Sequence, residues 1–276
     1  MTRQAGISDA AGSTGEAFVQ SRAFESLSRA GFVARALIYG IIGVLALKLA
    51  LGHGGKLTNQ HGALATVAHQ PFGGFLLALV AVGLGGYCVW RLVRAAIGRG
   101  PEGSDSAFDR VAALGSGIAY GALCVIAIEI LAGSSSSSSS NAKNDAAGIL
   151  GWPAGAWIVG IAGVVMIGVA AYQGYRAITR RFLEDSKTEE MSPGTKTAIT
   201  WLGTVGHLAR MVVFALVGVF LVKAAVDFDP HAAVGVDGAL AKVAHASYGG
   251  VALGVVSAGL IAFALYSLSD ARYRRI

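Results

Sequence analysis

The sequence predicts an all-α integral membrane protein: six transmembrane helices forming three parallel two-helix hairpin repeats, with both termini on the cytoplasmic side. Composition is the first observation behind this. Of 276 residues, 54% are apolar and only 14% charged, and the mean hydropathy is +0.60. Soluble chains carry roughly 25% charged residues, so too few charges are present to cover a water-facing globule. The second is a set of six apolar stretches, each near the roughly 20 residues that cross a bilayer as a helix. The third is that the chain repeats itself.

The chain opens with a polar tail, residues 1–23, holding Arg3, Asp9, Glu16 and Arg22 and lacking the apolar core of a signal peptide. The first repeat, 24–99, holds spans Gly31–Gly52 and Phe72–Ala95. The second, 108–182, holds Val111–Gly133 and Ala154–Ala177, joined by a loop containing the run Ser134–Ser140. The third, 198–274, holds Val205–Val226 and Gly249–Leu268. Membrane-barrel strands would alternate in runs of about 10 residues; these runs are longer and continuously apolar. Cys88 and Cys124 both lie inside apolar runs, so no disulfide framework is expected.

Orientation follows from Lys and Arg, which accumulate in cytoplasmic loops. Lys48, Lys56, Lys143, Lys223 and Lys242 fall on one side; the other 17 of the 22 basic residues fall with the two tails and the connections after spans 2 and 4. That split places both termini in the cytoplasm, Ser137 outside and Lys187 inside. The basic face is expected to touch anionic lipid. No base-reading module accompanies it, so nucleic acid is not an expected partner.

The repeat is specific. Gly31, Arg35, Tyr39 and Gly43 recur as Gly206, Arg210, Phe214 and Gly218, a four-residue spacing that puts them on one helix face. In the middle copy Tyr120 and Gly121 align with Tyr39 and Gly40, while Ser116 replaces Arg35 and Cys124 replaces Gly43. Ala63–Gly74 recurs as Ala239–Gly250, with a turn or two of outer helix expected over Gly62–His69 and Gly238–His245. Further on, Gly83, Tyr87 and Trp90 match Gly259, Phe263 and Tyr266. Gly168, Tyr172 and Tyr175 take those places in the middle unit, which implies four residues inserted around the serine run. Three tandem two-helix units with Gly-x-x-x-Arg-x-x-x-Tyr, then Gln-Pro-Phe-Gly-Gly and Gly-x-x-x-Tyr-x-x-Trp, resemble the bacterial membrane proteins of "domain of unknown function 1206". The resemblance covers residues 24 to 274 and is fullest in the first unit. It implies architecture and a bacterial inner-membrane location, and it supplies no catalytic residues.

Ionisable residues within spans are functional suspects. Lys48, Glu129 and Lys223 each stand nine residues after the aromatic of their unit, so they form one repeated position at equal depth. Snorkelling explains it most simply. A Glu129 pair with Lys48 or Lys223 near the outer interface is the structural expectation, and a polar ring lining a path is the transport reading. Arg35 and Arg210, near the cytoplasmic helix ends, read as snorkelling or lipid-binding residues. Outer-side His53, His61, His69, His231 and His245 with Asp227, Asp229 and Asp237 lack tight metal-ligand spacing; packing or helix capping accounts for His69 and His245. Trp90, Tyr175, Tyr266 and Tyr273 at one end, and Trp152 and Trp157 at the other, read as interfacial belts. No nucleophile with a base, phosphate loop, cofactor motif or pair of facing histidines is present. The expected protein is a non-enzymatic accessory or partner-binding membrane protein without cofactors; the other reading is a small channel or carrier lined by Lys48, Glu129 and Lys223.

Overall fold

A computed structural model describes residues 22–53, 57–97, 107–133 and 142–275. Most of the polar tail, Ser137 and the rest of the serine run lie outside these residues. Each unit is a long helix, a nine-residue helix and a second long helix. The first holds α1 (Arg22–Ala50), α2 (Gln60–Ala68) and α3 (Gly73–Ile97). The second holds α4 (Ala107–Leu131), α5 (Ala142–Leu150) and α6 (Gly155–Thr179). The third holds α7 (Pro193–Val226), α8 (Val236–Ala244) and α9 (Gly249–Tyr273). The long helices are the six that are long and apolar enough to cross a membrane.

Local chemistry sets the boundaries. Helix α7 starts 12 residues before its apolar stretch because Ser192 caps it, accepting from the Thr195 amide at 3.2 Å, and Pro193 fits the first turn, which needs no amide donor. Hydropathy sees only the membrane-embedded part of such a helix. Asn59 caps α2 by accepting from Gly62 N at 3.0 Å. The short helices expected over Gly62–His69 and Gly238–His245 are thus present as α2 and α8. His69 and His245 stand at their C-caps, with backbone amides donating to Ala65 and Ala241. The chain then reverses through Phe72 and Tyr248, both left-handed at φ 60° and 62°. The next residue must be glycine: a Cβ on Gly73 would lie 2.1 Å from Ala68 O, and one on Gly249 1.9 Å from Ala244 O.

The six long helices pack in the order α4–α3–α1–α9–α7–α6. The second helix of each unit lies on the first helix of the next, and α9 returns to α1. Units 1 and 3 are packed hairpins, through α1 with α3 and α7 with α9. The middle unit departs from the expected hairpin, since α4 lies on α3, α6 lies on α7, and the two are not packed on each other. The ring is open there. Only 17% and 22% of the apolar windows of α4 and α6 are buried, against 56% for α1 and 50% for α9, so the middle unit supplies the two peripheral helices.

Close glycine contacts fix the register. A Cβ on Gly43 would meet Ser257 O and Ile261 N, and one on Gly218 would meet Gly163 O and Ile167 N. Because Gly43 and Gly218 are repeat equivalents, Gly163 is the counterpart of Ser257. In unit 1 that counterpart is Ala81, whose carbonyl accepts from Cys124, the residue equivalent to Gly43. The structure therefore corrects the middle unit: Val165, Val169 and Tyr172, not Gly168, Tyr172 and Tyr175, occupy the places of Gly83, Tyr87 and Trp90. The sequence match is displaced by three residues, close to one helical turn, and the implied insertion shrinks from four residues to one.

Candidate functional site

The feature that stands out is a buried polar cluster where the start of α1 meets the ends of α3, α6 and α9. It is built on the repeated face of α1. Phe32, Arg35 and Tyr39 come from three successive turns, and aromatic rings hold the Arg35 guanidinium: Phe32 at 4.9 Å, Phe263 at 5.2 Å and Tyr87 at 5.7 Å. Helix α9 continues its own stripe, Phe263–Tyr266–Ser267, with Asp270 one turn on. Arg35 Nη2 reaches Asp270 Oδ2 at 2.6 Å, its Nε donates to Ser267 Oγ at 3.0 Å, and Nη1 donates to the Tyr87 hydroxyl at 3.2 Å. The same phenol oxygen accepts from Arg91 Nη2 at 2.7 Å. Arg274 bridges Asp270 at 3.3 Å and Asp185 at 3.0 Å, and Arg176 pairs with Asp185.

Three guanidiniums, those of Arg35, Arg176 and Arg274, thus share the carboxylates of Asp185 and Asp270. Burial, the largest influence on Arg274, lowers its pKa, but Asp185 and Asp270 together lift it above the ordinary arginine value. Its charge therefore persists at any pH the fold meets. The loop after α6 completes the cluster. Lys187 N donates to Tyr273 O at 2.7 Å, Arg275 N to Asp185 O at 3.0 Å, and Ser186 pairs with Arg274 as an antiparallel bridge. Beside the cluster, buried His207 bonds Gly203 O through Nδ1 at 2.7 Å and stacks on Phe182.

Arg35 does not snorkel. At 5% exposure it points inward, because its repeat face meets a carboxylate and three rings. Arg210 is half-buried and lies over Phe263 at 4.4 Å, Phe214 at 4.8 Å and Tyr39 at 5.1 Å. Tyr39 and Phe263 form an edge-on pair at 4.9 Å, and Tyr120 tilts against Tyr87 at 4.5 Å. Tyr172, one turn from Arg176, carries that guanidinium over its ring at 5.9 Å. Trp90 and Tyr266 are core residues, not belt residues: they are buried against Phe32, Tyr87, His207 and Phe182. Trp152 and Trp157 are exposed.

The structure brings no two of Lys48, Glu129 and Lys223 together. All three are exposed, and among the described residues no ion pair joins them. The expected Glu129 pair is therefore not formed, because the repeated position faces outward from each helix. Both cysteines are free. Among the described residues no group of three or more His, Cys, Asp or Glu side chains gathers as metal ligands.

Sequence reasoning passed over Asp270, Ser267, Asp185 and Arg274 as termini-side polar residues. The signal available was periodic: Phe263, Ser267, Asp270 and Arg274 extend one face of α9 at spacings of three and four. Comparison with known proteins follows the same three units. The Domain of Unknown Function (DUF1206) model matches residues 30–98, 111–180 and 205–274. The chain belongs to this family. The "Uncharacterized protein YxxB" of Bacillus subtilis (strain 168) is 28% identical over 252 residues, 90% of each chain. No solved structure matches. Arg35, Ser116 and Arg210 stand at the repeated first-helix position, and among the described residues only Arg35 of these three is paired with an acid.

Proposed function

We propose that this DUF1206 protein is a non-enzymatic, multi-pass protein of the bacterial cytoplasmic membrane, with both termini cytoplasmic, acting as an accessory or scaffold component. The observation that carries this is the placement of charge. The intramembrane cations a path would need, Lys48 and Lys223, are exposed, as is Glu129, and none of the three belongs to the buried core. The interior is filled instead by apolar side chains such as Ile42, Ala46, Leu84, Ala127, Val217 and Leu260. Polar groups inside are spent on one another at the basic end, where three arginines and two aspartates tie α1, α6 and α9 together. Acyl chains cover the exposed apolar faces of α4 and α6, and anionic headgroups meet the basic end. The 17 basic residues that the sequence assigns to the tails and the connections on that side support its cytoplasmic placement.

The test is flux of protons, potassium and chloride into proteoliposomes holding the full chain. Rates equal to those of empty liposomes are expected. A flux that Glu129→Gln abolishes would replace this reading with a carrier.

A further inference from the structure

The repeat makes the Arg35 and Arg210 sites comparable residue by residue. In the packing register fixed by Gly43 and Gly218, position 267 of α9 corresponds to Gln173 of α6, and position 270 corresponds to Arg176. The two sites are alike at the first position. Arg35 donates to Ser267; Gln173, with its amide oxygen facing Arg210, accepts from all three guanidinium nitrogens at 2.9–3.3 Å. They differ at the second. Asp270 neutralises Arg35 at 2.6 Å, whereas its counterpart Arg176 is a second cation, turned to Asp185. Among the described residues no carboxylate lies within ion-pair distance of Arg210.

The three rings around Arg210 hold the guanidinium in place, but cation–π contacts leave its net charge intact. An unneutralised arginine in a membrane-spanning helix is costly, and such residues mark ligand paths. Gln173 is buried, while Arg210 and Tyr172 are half-buried. Gln173 and Tyr172 stand on α6, which is not packed on α4. We infer that Arg210, Gln173 and Arg176 form a site for an exogenous oxyanion, which takes the place that the Asp270 carboxylate holds in the sibling site. The chemistry is that of a phosphate: the phosphodiester of an acidic lipid entering between α4 and α6, or soluble phosphate from the basic end. Arg210 supplies paired charge-assisted donors, Arg176 adds positive potential, and Gln173 can turn its amide to donate. The inference rests on the bundle's lying in a membrane and not on its accessory role. Ion flux would overturn that role and leave this site standing.

The full chain in phosphatidylcholine nanodiscs is titrated with phosphatidylglycerol in one arm and with inorganic phosphate in the other, with Tm as the readout. A rise in Tm is expected. Arg210→Gln should raise the midpoint of that titration at least about tenfold. Gln173→Glu builds a carboxylate against Arg210, so it should raise Tm in phosphatidylcholine alone and remove the response. Exposed Lys196→Gln should respond like the parent. A shift with phosphatidylglycerol alone identifies a lipid, and one with phosphate alone a soluble ligand. If the parent responds to neither, or Arg210→Gln and Gln173→Glu respond as fully as Lys196→Gln, the site is overturned. Gln173→Glu decides the matter even if Arg210→Gln does not fold.

Discussion

Asp270→Asn is the sharpest probe of the buried cluster. The change keeps the side chain's shape and removes one charge at a residue 1% exposed. Arg274 keeps Asp185 at 3.0 Å. Arg35 keeps Ser267, Tyr87 and three ring faces, but loses its one carboxylate partner among the described residues, held at 2.6 Å. Removing one partner of a buried pair costs about 3–5 kcal/mol, and the retained neutral acceptors place Asp270→Asn near the lower bound, about 3 kcal/mol. On the scaling measured for soluble domains, that lowers Tm by on the order of 6–12 °C. Thermal unfolding in nanodiscs reads it. The companion is Arg35→Met with Asp270→Leu, which removes both charges and fills the space. Buried pairs replaced this way are often neutral or stabilising, so the double variant should recover most of the loss. A single-variant cost under about 1 kcal/mol, or strictly additive effects, would refute the claim that the cluster is a coupled buried unit.

Other outcomes follow from the same geometry. Tyr87→Phe removes the oxygen that accepts from Arg35 and Arg91 and should destabilise by about 1–3 kcal/mol, again by thermal unfolding. Gly163→Val drives a side chain against Gly218 O, 2.8 Å from where its Cβ would stand; the overpacking should cost about 1–3 kcal/mol and separate α6 from α7, visible as faster proteolysis of the loop after α6. Glu129→Gln should leave stability within about 0.5 kcal/mol, as for exposed surface positions, and a large fall in Tm would show a pair the structure lacks. Impermeant maleimide applied outside intact cells should label a cysteine at 137 and not one at 187; the reverse pattern refutes the orientation.

The spans were legible because bilayer crossing leaves a local mark, about 20 apolar residues in a row. The short helices α2 and α8 were legible because a repeated cap and a repeated Gly-Gly are local too. Two things were not. Arg35 and Asp270 are separated by 235 positions, and no local pattern announces a bond of that span. A sequence match displaced by nearly one helical turn also hid the middle unit's register. Gly-x-x-x-Tyr recurs in α6 three residues late, and only backbone contacts at Gly163 and Gly218 distinguish the packing register from the look-alike. Lys48, Glu129 and Lys223 show the opposite error. Their equal spacing was read correctly, but periodicity within one helix does not say which face its neighbours cover.

The return of α9 to α1 has a consequence for how the protein is made. Helix α1 precedes α9 in the chain and carries Arg35, while the carboxylate that neutralises it arrives only with α9. Until then the first unit holds a cation that insertion scales charge at about 2.5–3.5 kcal/mol near a helix centre. The same late segment brings Arg274 and Arg275 to Asp185 in the loop after α6. Every earlier helix therefore waits in a provisional arrangement, and a nascent chain stopped before Asp270 exposes an unneutralised arginine inside the bilayer. That makes α9 the clasp of the assembly.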